Sequence, residues 1–489
     1  MSAEESWQAG MLERLKVRAA DENARSRQPG DELITTPVVT IADVYIGSVA
    51  RELPRRLAEL NIKDGGMGLS DYLRTCLEKD LHGVGTFIIS GSSRSSESPK
   101  LESDIDLPEG VTYVYGTFYA LGASTVCLVL SFVLDDSIQL KIDDALRRDA
   151  EPELKFNQLG GVNPLGAEAV KSDRIQSADR HLRDLCKKWV AVYLPGYLST
   201  RPTPSPPSIV EVSLKSGVPL ETSDGYMKLL RLSSPLIVNR ERRLPALHFV
   251  YSISEDIQNN VTLAFNEARL RAEMSSADNP DLVQFLHSLK APLLMSYALS
   301  SLVTALEAEQ RVIQAAVDDA DPSEMDYDAA EKIRIRILRH RRDLDAIRRD
   351  VPQVLNPTAL FWDELPQLEQ VEHPSGKVTL KMGTQPEIRK HVLDAMEPLK
   401  VSALNLNEQS AVISEAVSDR IRVNSDKRLG NLTKVLVVLT VVITLLAIVA
   451  LFHHGSSSFS CVSGSGSLRV SHGQLSGGVG FNCRSSTGS

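Results

Sequence analysis

The chain has 489 residues, which is long enough for two or three domains. Its 42% hydrophobic and 24% charged residues are typical of globular proteins and exclude wholesale disorder or a fibrous repeat. The net charge of −9 argues against a broadly basic nucleic-acid-binding protein.

Residues 1–30 are polar, and we expect a flexible N-terminus there, with one short helix around Trp7, Met11, Leu12 and Leu15 as an alternative. From 31 to 253, strand-like and helix-like patterns alternate, which predicts an α+β cytosolic domain with a partly antiparallel sheet. Residues 112–121 and 125–134 are strand-like and are separated by Gly122-Ala123-Ser124, which favours a hairpin. The other predicted strands are 84–90, 209–214 and 248–253, and the predicted helices are 45–60, 70–80 and 177–193.

Helical spacing of apolar residues then predicts a helical hairpin region over 254–385. Its predicted helices are 256–274, 281–318 and 326–350, the last two forming an antiparallel pair. Residues 332–349 are strongly basic. They form either a solvated face paired with acidic residues of the neighbouring helix or a site for an anionic ligand or lipid. The acidic residues in question are Glu307, Glu309, Asp318 and Asp319.

A stalk helix is predicted over 386–431, beginning near Pro386 or Pro398. It carries an apolar stripe whose members are separated by seven, four and four residues. The stripe consists of Leu406, Ile413, Val417 and Ile421. We expect it to pack against neighbouring stalks of a homo-oligomer or against the helical pair at 281–350.

The segment Val435–Phe452 contains 18 residues without a charge, a proline or a glycine. As a helix it is roughly 27 Å long, close to the thickness of the bilayer core. A buried core helix is the alternative, but Val, Ile and Leu cover every face of this segment. With Leu432 and Thr433 added, we predict a transmembrane helix over 432–452.

Basic residues are concentrated before this segment, at Arg420, Arg422, Lys427, Arg428 and Lys434. The positive-inside rule therefore predicts a single-pass protein of the inner or plasma membrane. Its N-terminus would be cytoplasmic and its C-terminus extracytoplasmic. The first 16 residues contain no apolar core of a signal peptide, which agrees with this orientation.

Residues 453–489 form a Gly/Ser-rich tail that we expect outside the membrane. Cys461 and Cys483 are a candidate disulfide, which would close a loop of about 20 residues. The alternative is a disordered tail with two unpaired thiols. The other three cysteines, Cys76, Cys127 and Cys186, precede the membrane segment and should stay reduced in the cytosol.

Three threonines, Thr433, Thr440 and Thr444, are separated by seven and four residues and so lie near one face of the membrane helix. In an oligomer, this face is a candidate to line a polar path. Alternatively, each hydroxyl bonds to the backbone of its own helix, as is common in membrane helices.

No catalytic motif is recognisable in the sequence. It lacks a G-x-x-x-x-G-K-[ST] phosphate loop, a G-x-S-x-G elbow, an H-E-x-x-H motif and a C-x-x-C motif. We therefore expect a protein that is not an enzyme, with no catalytic or metal-binding residues and no cofactor.

The order of the predicted elements and the junction SDRIRVNSDKRLGNLTKVLVVLTVVITLLAIVAL resemble the CorA-type magnesium channel family. The resemblance implies an oligomer, usually a pentamer, in which the long helix continues as the pore-lining membrane helix. Two features depart from the family. Its Gly-Met-Asn signature is replaced by Phe452-His453-His454-Gly455, and the second membrane helix is missing. The resemblance therefore implies a divergent single-span relative without the selectivity apparatus.

Three functions stay open at this point, of which a membrane-tethered enzyme of unfamiliar type is the third. The first is an oligomeric membrane protein whose cytosolic domain controls a pore or perturbs the bilayer, by ion conduction or as a membrane-disrupting effector, for example in bacterial defence. The second is a non-conducting, membrane-anchored ligand-binding or scaffold protein. The expected partners are the lipid bilayer, further copies of the chain and a small cytosolic ligand that the sequence does not identify.

Overall fold

The computed structural model describes most of the chain up to His453. The described residues are 3–28, 30, 32–60, 68–90, 106–156, 162–215, 229–230, 238–239, 247–251, 260–274, 281–319, 327–354, 368–369 and 385–453. The chain divides into two units, Met1–Ser418 and Asp419–Ser489. An α+β N-terminal part is followed by a mostly helical remainder, which ends in an apolar helix.

The first unit is built on an eight-stranded sheet with the order β10-β11-β8-β2-β5-β4-β3, and β1 also pairs with β8. Neighbouring strands are antiparallel except β8 and β11, which are parallel. These strands are β1 Ile34–Thr35, β2 Val38–Ile46, β3 Gly83–Ser90, β4 Val111–Ala120, β5 Thr125–Leu134, β8 Ser208–Leu214, β10 Leu247–Tyr251 and β11 Asn260–Asn266. Two small pairs lie outside the sheet: β6 Glu153–Phe156 with β7 Val162–Leu165, and β9 Val238–Asn239 with β12 Leu368–Glu369.

The predicted hairpin at 112–134 is confirmed. Strands β4 and β5 pair antiparallel along almost their whole length, and both are rich in β-branched and aromatic residues. Gly122 in the connecting turn has a φ of +155°, and a Cβ atom there would lie 2.7 Å from the Asp350 carboxylate. A side chain at this position would therefore clash, which explains the glycine.

Ten helices are described: α1 Ala3–Arg25, α2 Gly47–Glu59, α3 Leu69–Lys79, α4 Asp136–Gln139, α5 Lys141–Arg147, α6 Ala167–Tyr193, α7 Glu267–Met274, α8 Leu282–Asp318, α9 Tyr327–Val354 and α10 Gln385–His453. Helix α10 begins at the earlier of the two predicted starts. Pro386 then occupies the first turn, where its missing N–H costs no hydrogen bond.

Helices cover both faces of the sheet. On one face, α2, α3 and α6 bury residues such as Leu53, Leu73 and Trp189 against β2, β4 and β5. On the other face, α8 and α9 bury residues such as Leu294 and Leu344 against the same sheet. The predicted helical hairpin region therefore shares its core with the sheet.

The helix predicted over 256–274 is wrong over Asn260–Asn266, which form strand β11. Glu267–Met274 is helical, as predicted, and 256–259 lie outside the described residues. The cause is tertiary: β11 pairs with β8 on one side and with β10 on the other. A short apolar run does not by itself distinguish a buried strand from a helix, so pairing decides the outcome.

Candidate functional site

The apolar segment of α10 is the most unusual surface of the described chain. Its 18-residue window has a mean hydropathy of 2.7, and none of it is buried. Every large apolar side chain from Val435 to Val449 is between 45% and 66% exposed, on all sides of the helix. Within the part of the chain that the structure describes, nothing buries this segment as a core helix would be buried. The segment has the length and composition of a membrane span.

The hydroxyls of the three threonines each donate to a carbonyl one turn earlier on the same helix. Thr433 Oγ1 lies 2.8 Å from the Leu429 oxygen, Thr440 Oγ1 lies 2.7 Å from the Leu436 oxygen, and Thr444 Oγ1 lies 2.7 Å from the Thr440 oxygen. Each donor is therefore satisfied within the helix, as the second interpretation expects. The hydroxyl oxygens keep acceptor capacity, and the pore-facing role stays a prediction.

The predicted stalk stripe is at least partly covered within the single chain. Val417 is fully buried and Ile413 is half-buried, whereas the Leu406 side chain lies outside the described residues. Close by, Gln310 of α8 donates a hydrogen bond to Gln409 of α10. Part of the stripe is thus covered within the single chain, and both the packing of the stripe on the helical pair and the oligomer contact stay predictions.

The candidate disulfide Cys461–Cys483 lies outside the described residues, as does the tail beyond His453. The three remaining cysteines are free and buried. Burial raises the pKa of the Cys127 and Cys186 thiols, so both stay protonated at neutral pH and behave as apolar core residues. Within the described ranges, no group of three or more His, Cys, Asp or Glu residues is placed to hold a metal ion.

A row of buried polar side chains connects α8 to the sheet, and sequence reasoning missed it. Lys290 forms an ion pair with Glu211 of β8 and donates to Thr40 Oγ1 of β2 at 2.8 Å. Thr40 Oγ1 lies 2.8 Å from Ser131 Oγ, which lies 2.8 Å from His287 Nδ1. The row, hereafter the α8 network, ends where His287 Nε2 meets Thr117 Oγ1 at 2.8 Å.

The α8 network is closed because every group in it has a partner. With Nε2 protonated, each hydrogen bond of the row has one donor and one acceptor. Burial lowers the pKa of His287 to about 3, with a further contribution from Lys290, so the imidazole is neutral at pH 7. Burial also lowers the pKa of Lys290 and raises that of Glu211, and the pairing of the two groups opposes both shifts. The sequence signal was the pair His287 and Lys290, three residues apart on an otherwise apolar helix face.

The basic face of α9 is paired in part. Arg336 Nε lies 2.5 Å from Glu309 of α8, which confirms the predicted pairing at this acidic residue. Glu309 also contacts Arg201 at 3.6 Å, a residue that precedes it by more than a hundred positions. The pairing lowers the pKa of Glu309, mainly through the hydrogen bond from Arg336.

Comparison with known proteins gives only distant similarity. No protein-family model and no curated protein matches the chain. Among solved structures, it is similar to the CorA magnesium transporter from Methanocaldococcus jannaschii, with 14% identity, a TM-score of 0.20, and coverage of 52% of this chain and 81% of that one. It is also similar to the full-length CmaX protein, with 13% identity, a TM-score of 0.19, and coverage of 62% and 86% respectively. The chain therefore has weak structural similarity to CorA-type proteins, and scores of this size carry no conclusion about fold or activity.

Proposed function

We propose that the chain is a single-span membrane protein that assembles as a homo-oligomer, and that its soluble domain controls a pore or perturbs the bilayer. The observation that carries the proposal is the apolar end of α10, which no part of the described chain covers. Burying one large aliphatic side chain is worth roughly 1.5–3 kcal/mol, so a helix that exposes a whole span of them needs a lipid or protein cover.

The proposed orientation places the soluble domain in the cytoplasm. Five basic residues stand within the fifteen positions before Val435, and the positive-inside rule assigns that side to the cytoplasm. The free, buried thiols of the soluble domain are compatible with a reducing compartment.

Assembly is supported by apolar residues on the stalk that the chain leaves uncovered. Val401, Val412 and Val423 are 52%, 68% and 54% exposed. They are spaced by eleven residues, a period that keeps side chains on one face of a helix over several turns. Neighbouring stalks could bury this row. The Thr433, Thr440 and Thr444 face is the candidate polar path through the resulting bundle.

The alternative is a non-conducting anchor that tethers a ligand-binding or scaffold domain. It is favoured by two observations: Val417 is buried within its own chain, and the threonine hydroxyls are satisfied within their own helix. Neither feature requires a second copy.

The mass of the full chain in detergent, together with ion flux in liposomes, separates these functions. We expect an oligomer that releases ions, and we expect Val412→Asp with Val423→Asp to dissociate it, because a carboxylate at a contact loses its hydration. Val192→Asp is the matched control, since Val192 is 69% exposed on α6. A monomer that releases no ions from liposomes would contradict the pore proposal and support the alternative of a non-conducting membrane anchor.

A further inference from the structure

A cleft of about 530 Å³ lies between α8, α9 and the turn that follows α6. We call it the α8–α9 cleft. The turn contributes Tyr197 and Arg201, α8 contributes Glu309, and α9 contributes the remaining polar residues, among them Lys332, Arg339 and His340. None of these residues belongs to the membrane helix or to the stalk stripe, so the cleft is a separate feature of the soluble domain.

Cations outnumber carboxylates in the α8–α9 cleft. Arg201, Lys332, Arg336 and Arg339 face only Glu309 and Asp343. Glu309 already pairs with Arg201 and Arg336. Burial raises the pKa of Asp343 to about 6, and the charges of Arg342, Arg201 and Arg339 oppose the rise, so this carboxylate is mostly ionised at pH 7. Lys332 and Arg339 form no ion pair with any described residue, so their charges are available to a ligand.

Two buried side chains of the cleft have polar atoms without a partner. The Tyr197 hydroxyl and both ring nitrogens of His340 form no hydrogen bond in the described structure. The two residues are only 7% and 3% exposed, so bulk water does not substitute. Buried polar groups are almost always satisfied, and an exception needs an explanation such as an absent ligand.

The turn that carries Tyr197 and Arg201 is held rigidly in place. The buried Asp43 carboxylate of β2 accepts from the backbone N–H of Leu198 at 2.9 Å and of Ser199 at 3.1 Å. The Tyr197 N–H donates to the Val44 carbonyl at 2.7 Å. The Arg201 guanidinium lies 3.9 Å from the centre of the Tyr197 ring. The backbone of the turn is thus fixed before any ligand arrives, which reduces the entropy that binding would cost.

We propose that the α8–α9 cleft binds a small ligand that presents a phosphate group, with Lys332 and Arg339 pairing with its charge and with Tyr197 and His340 donating hydrogen bonds to its oxygens. A phosphate offers several acceptor oxygens, which match the convergent donors of the cleft. The neutral His340 ring supplies one N–H donor, and the phenol supplies one O–H donor. The proposal goes beyond the membrane function and holds whether or not the chain conducts.

Titration calorimetry on the full chain in detergent tests the proposal, with inorganic pyrophosphate as the probe. We expect saturable binding of one pyrophosphate per chain. Arg339→Gln and Lys332→Gln should each weaken it about tenfold, the effect of one lost charge-assisted hydrogen bond. Arg341→Gln is the matched control, because Arg341 is exposed on the same helix but does not line the cleft. The control should bind like the wild type.

Absence of saturable binding by the wild type would overturn the proposal. Equal weakening by Arg341→Gln and Arg339→Gln would also overturn it, because the attraction would then belong to the general charge of α9. A parallel titration with dihexanoyl phosphatidic acid separates the two sources of a phosphate group. Tighter binding of pyrophosphate assigns a soluble ligand, whereas tighter binding of the phosphatidic acid assigns a lipid headgroup.

The variant His340→Leu adds a readout that a purely structural histidine would not give. It should weaken pyrophosphate binding by up to about tenfold, while the thermal midpoint stays the same or rises, since the leucine removes two unsatisfied nitrogens from the interior. A variant that unfolds, or one that still binds with wild-type affinity, would remove His340 from the site.

Discussion

Two buried histidines of the first unit, Met1–Ser418, lie in opposite situations. In the α8 network, His287 has a hydroxyl 2.8 Å from each ring nitrogen. In the α8–α9 cleft, His340 is almost equally buried, and neither ring nitrogen has a partner. Both rings are neutral at pH 7, because burial lowers the pKa to about 3 for His287 and to about 4 for His340.

The difference distinguishes His287, a polar group that stabilises the fold, from His340, a polar group that we propose to bind a ligand. In a satisfied network, the hydrogen bonds offset the free energy that desolvation of the polar groups costs. They also fix the position of α8 on the sheet. An unsatisfied buried nitrogen lowers stability by about 1–3 kcal/mol in the absence of a ligand. Stability measurements can therefore distinguish the two regions without knowledge of the ligand.

The largest expected effect concerns the ion pair of the α8 network. Lys290→Met leaves Glu211 buried without its partner, and we expect a loss of about 3–5 kcal/mol in the free energy of unfolding. Adding Glu211→Leu to Lys290→Met should restore most of the stability, because no unpaired charge is left. Thermal unfolding of both variants, followed by circular dichroism, measures this. A single variant as stable as the wild type would show that the network does not support the fold.

The second prediction compares the effect of the same substitution, histidine to leucine, at His287 and at His340. His287→Leu removes the partner of Ser131 and Thr117, and it should lower the free energy of unfolding by about 1–3 kcal/mol. His340→Leu should leave stability unchanged or raise it. The contrast in thermal midpoint is the observable. If the two variants were destabilised equally, the two histidines would have the same structural role.

A smaller effect depends on pH. The pKa of His340 in the fold, about 4, lies below its usual value of 6.5, so below pH 6.5 the unfolded chain binds a proton that the fold excludes. The contribution of this ring to the free energy of unfolding of the wild type is therefore fully present above pH 6.5. It is lost as the pH falls towards the pKa in the fold. Glu309 favours the protonated ring, whereas Arg201 and Arg336 oppose it.

Thermal midpoints of the wild type and of His340→Leu at pH 7.5 and pH 5 test this coupling. The advantage of the leucine variant should grow by roughly 1–2 kcal/mol at the lower pH, because the leucine has no proton to exclude. An unchanged difference between the two proteins would mean that His340 has an ordinary pKa.

Sequence patterns correctly predicted the elements whose structure depends on residues close together in the chain. The β4–β5 hairpin follows from two strand-like runs around a glycine turn, and the apolar end of α10 follows from run length alone. Strand β11 was missed because its pairing with β8 joins residues about fifty positions apart. No local pattern contains that contact.

The same reason limits prediction of the sites. The basic residues of 332–349 were visible in the sequence, and so was the alternative of an anionic ligand. The cleft needs Tyr197 and Arg201 as well, which reach α9 only because Asp43 holds their turn against β2. Likewise, Thr40, Ser131 and Glu211 are ordinary strand residues until the sheet places them beneath Lys290.

Membrane integration of the full chain is the central claim, and alkaline carbonate extraction of membranes from expressing cells tests it most directly. We expect the wild type to stay in the membrane pellet. The variant Leu439→Asp with Ile443→Asp should move to the soluble fraction or fail to accumulate, because each aspartate costs roughly 2.5–3.5 kcal/mol near the centre of a membrane helix. Val192→Asp, on the soluble domain, should stay in the pellet. A wild-type chain that carbonate releases into the supernatant would contradict the account.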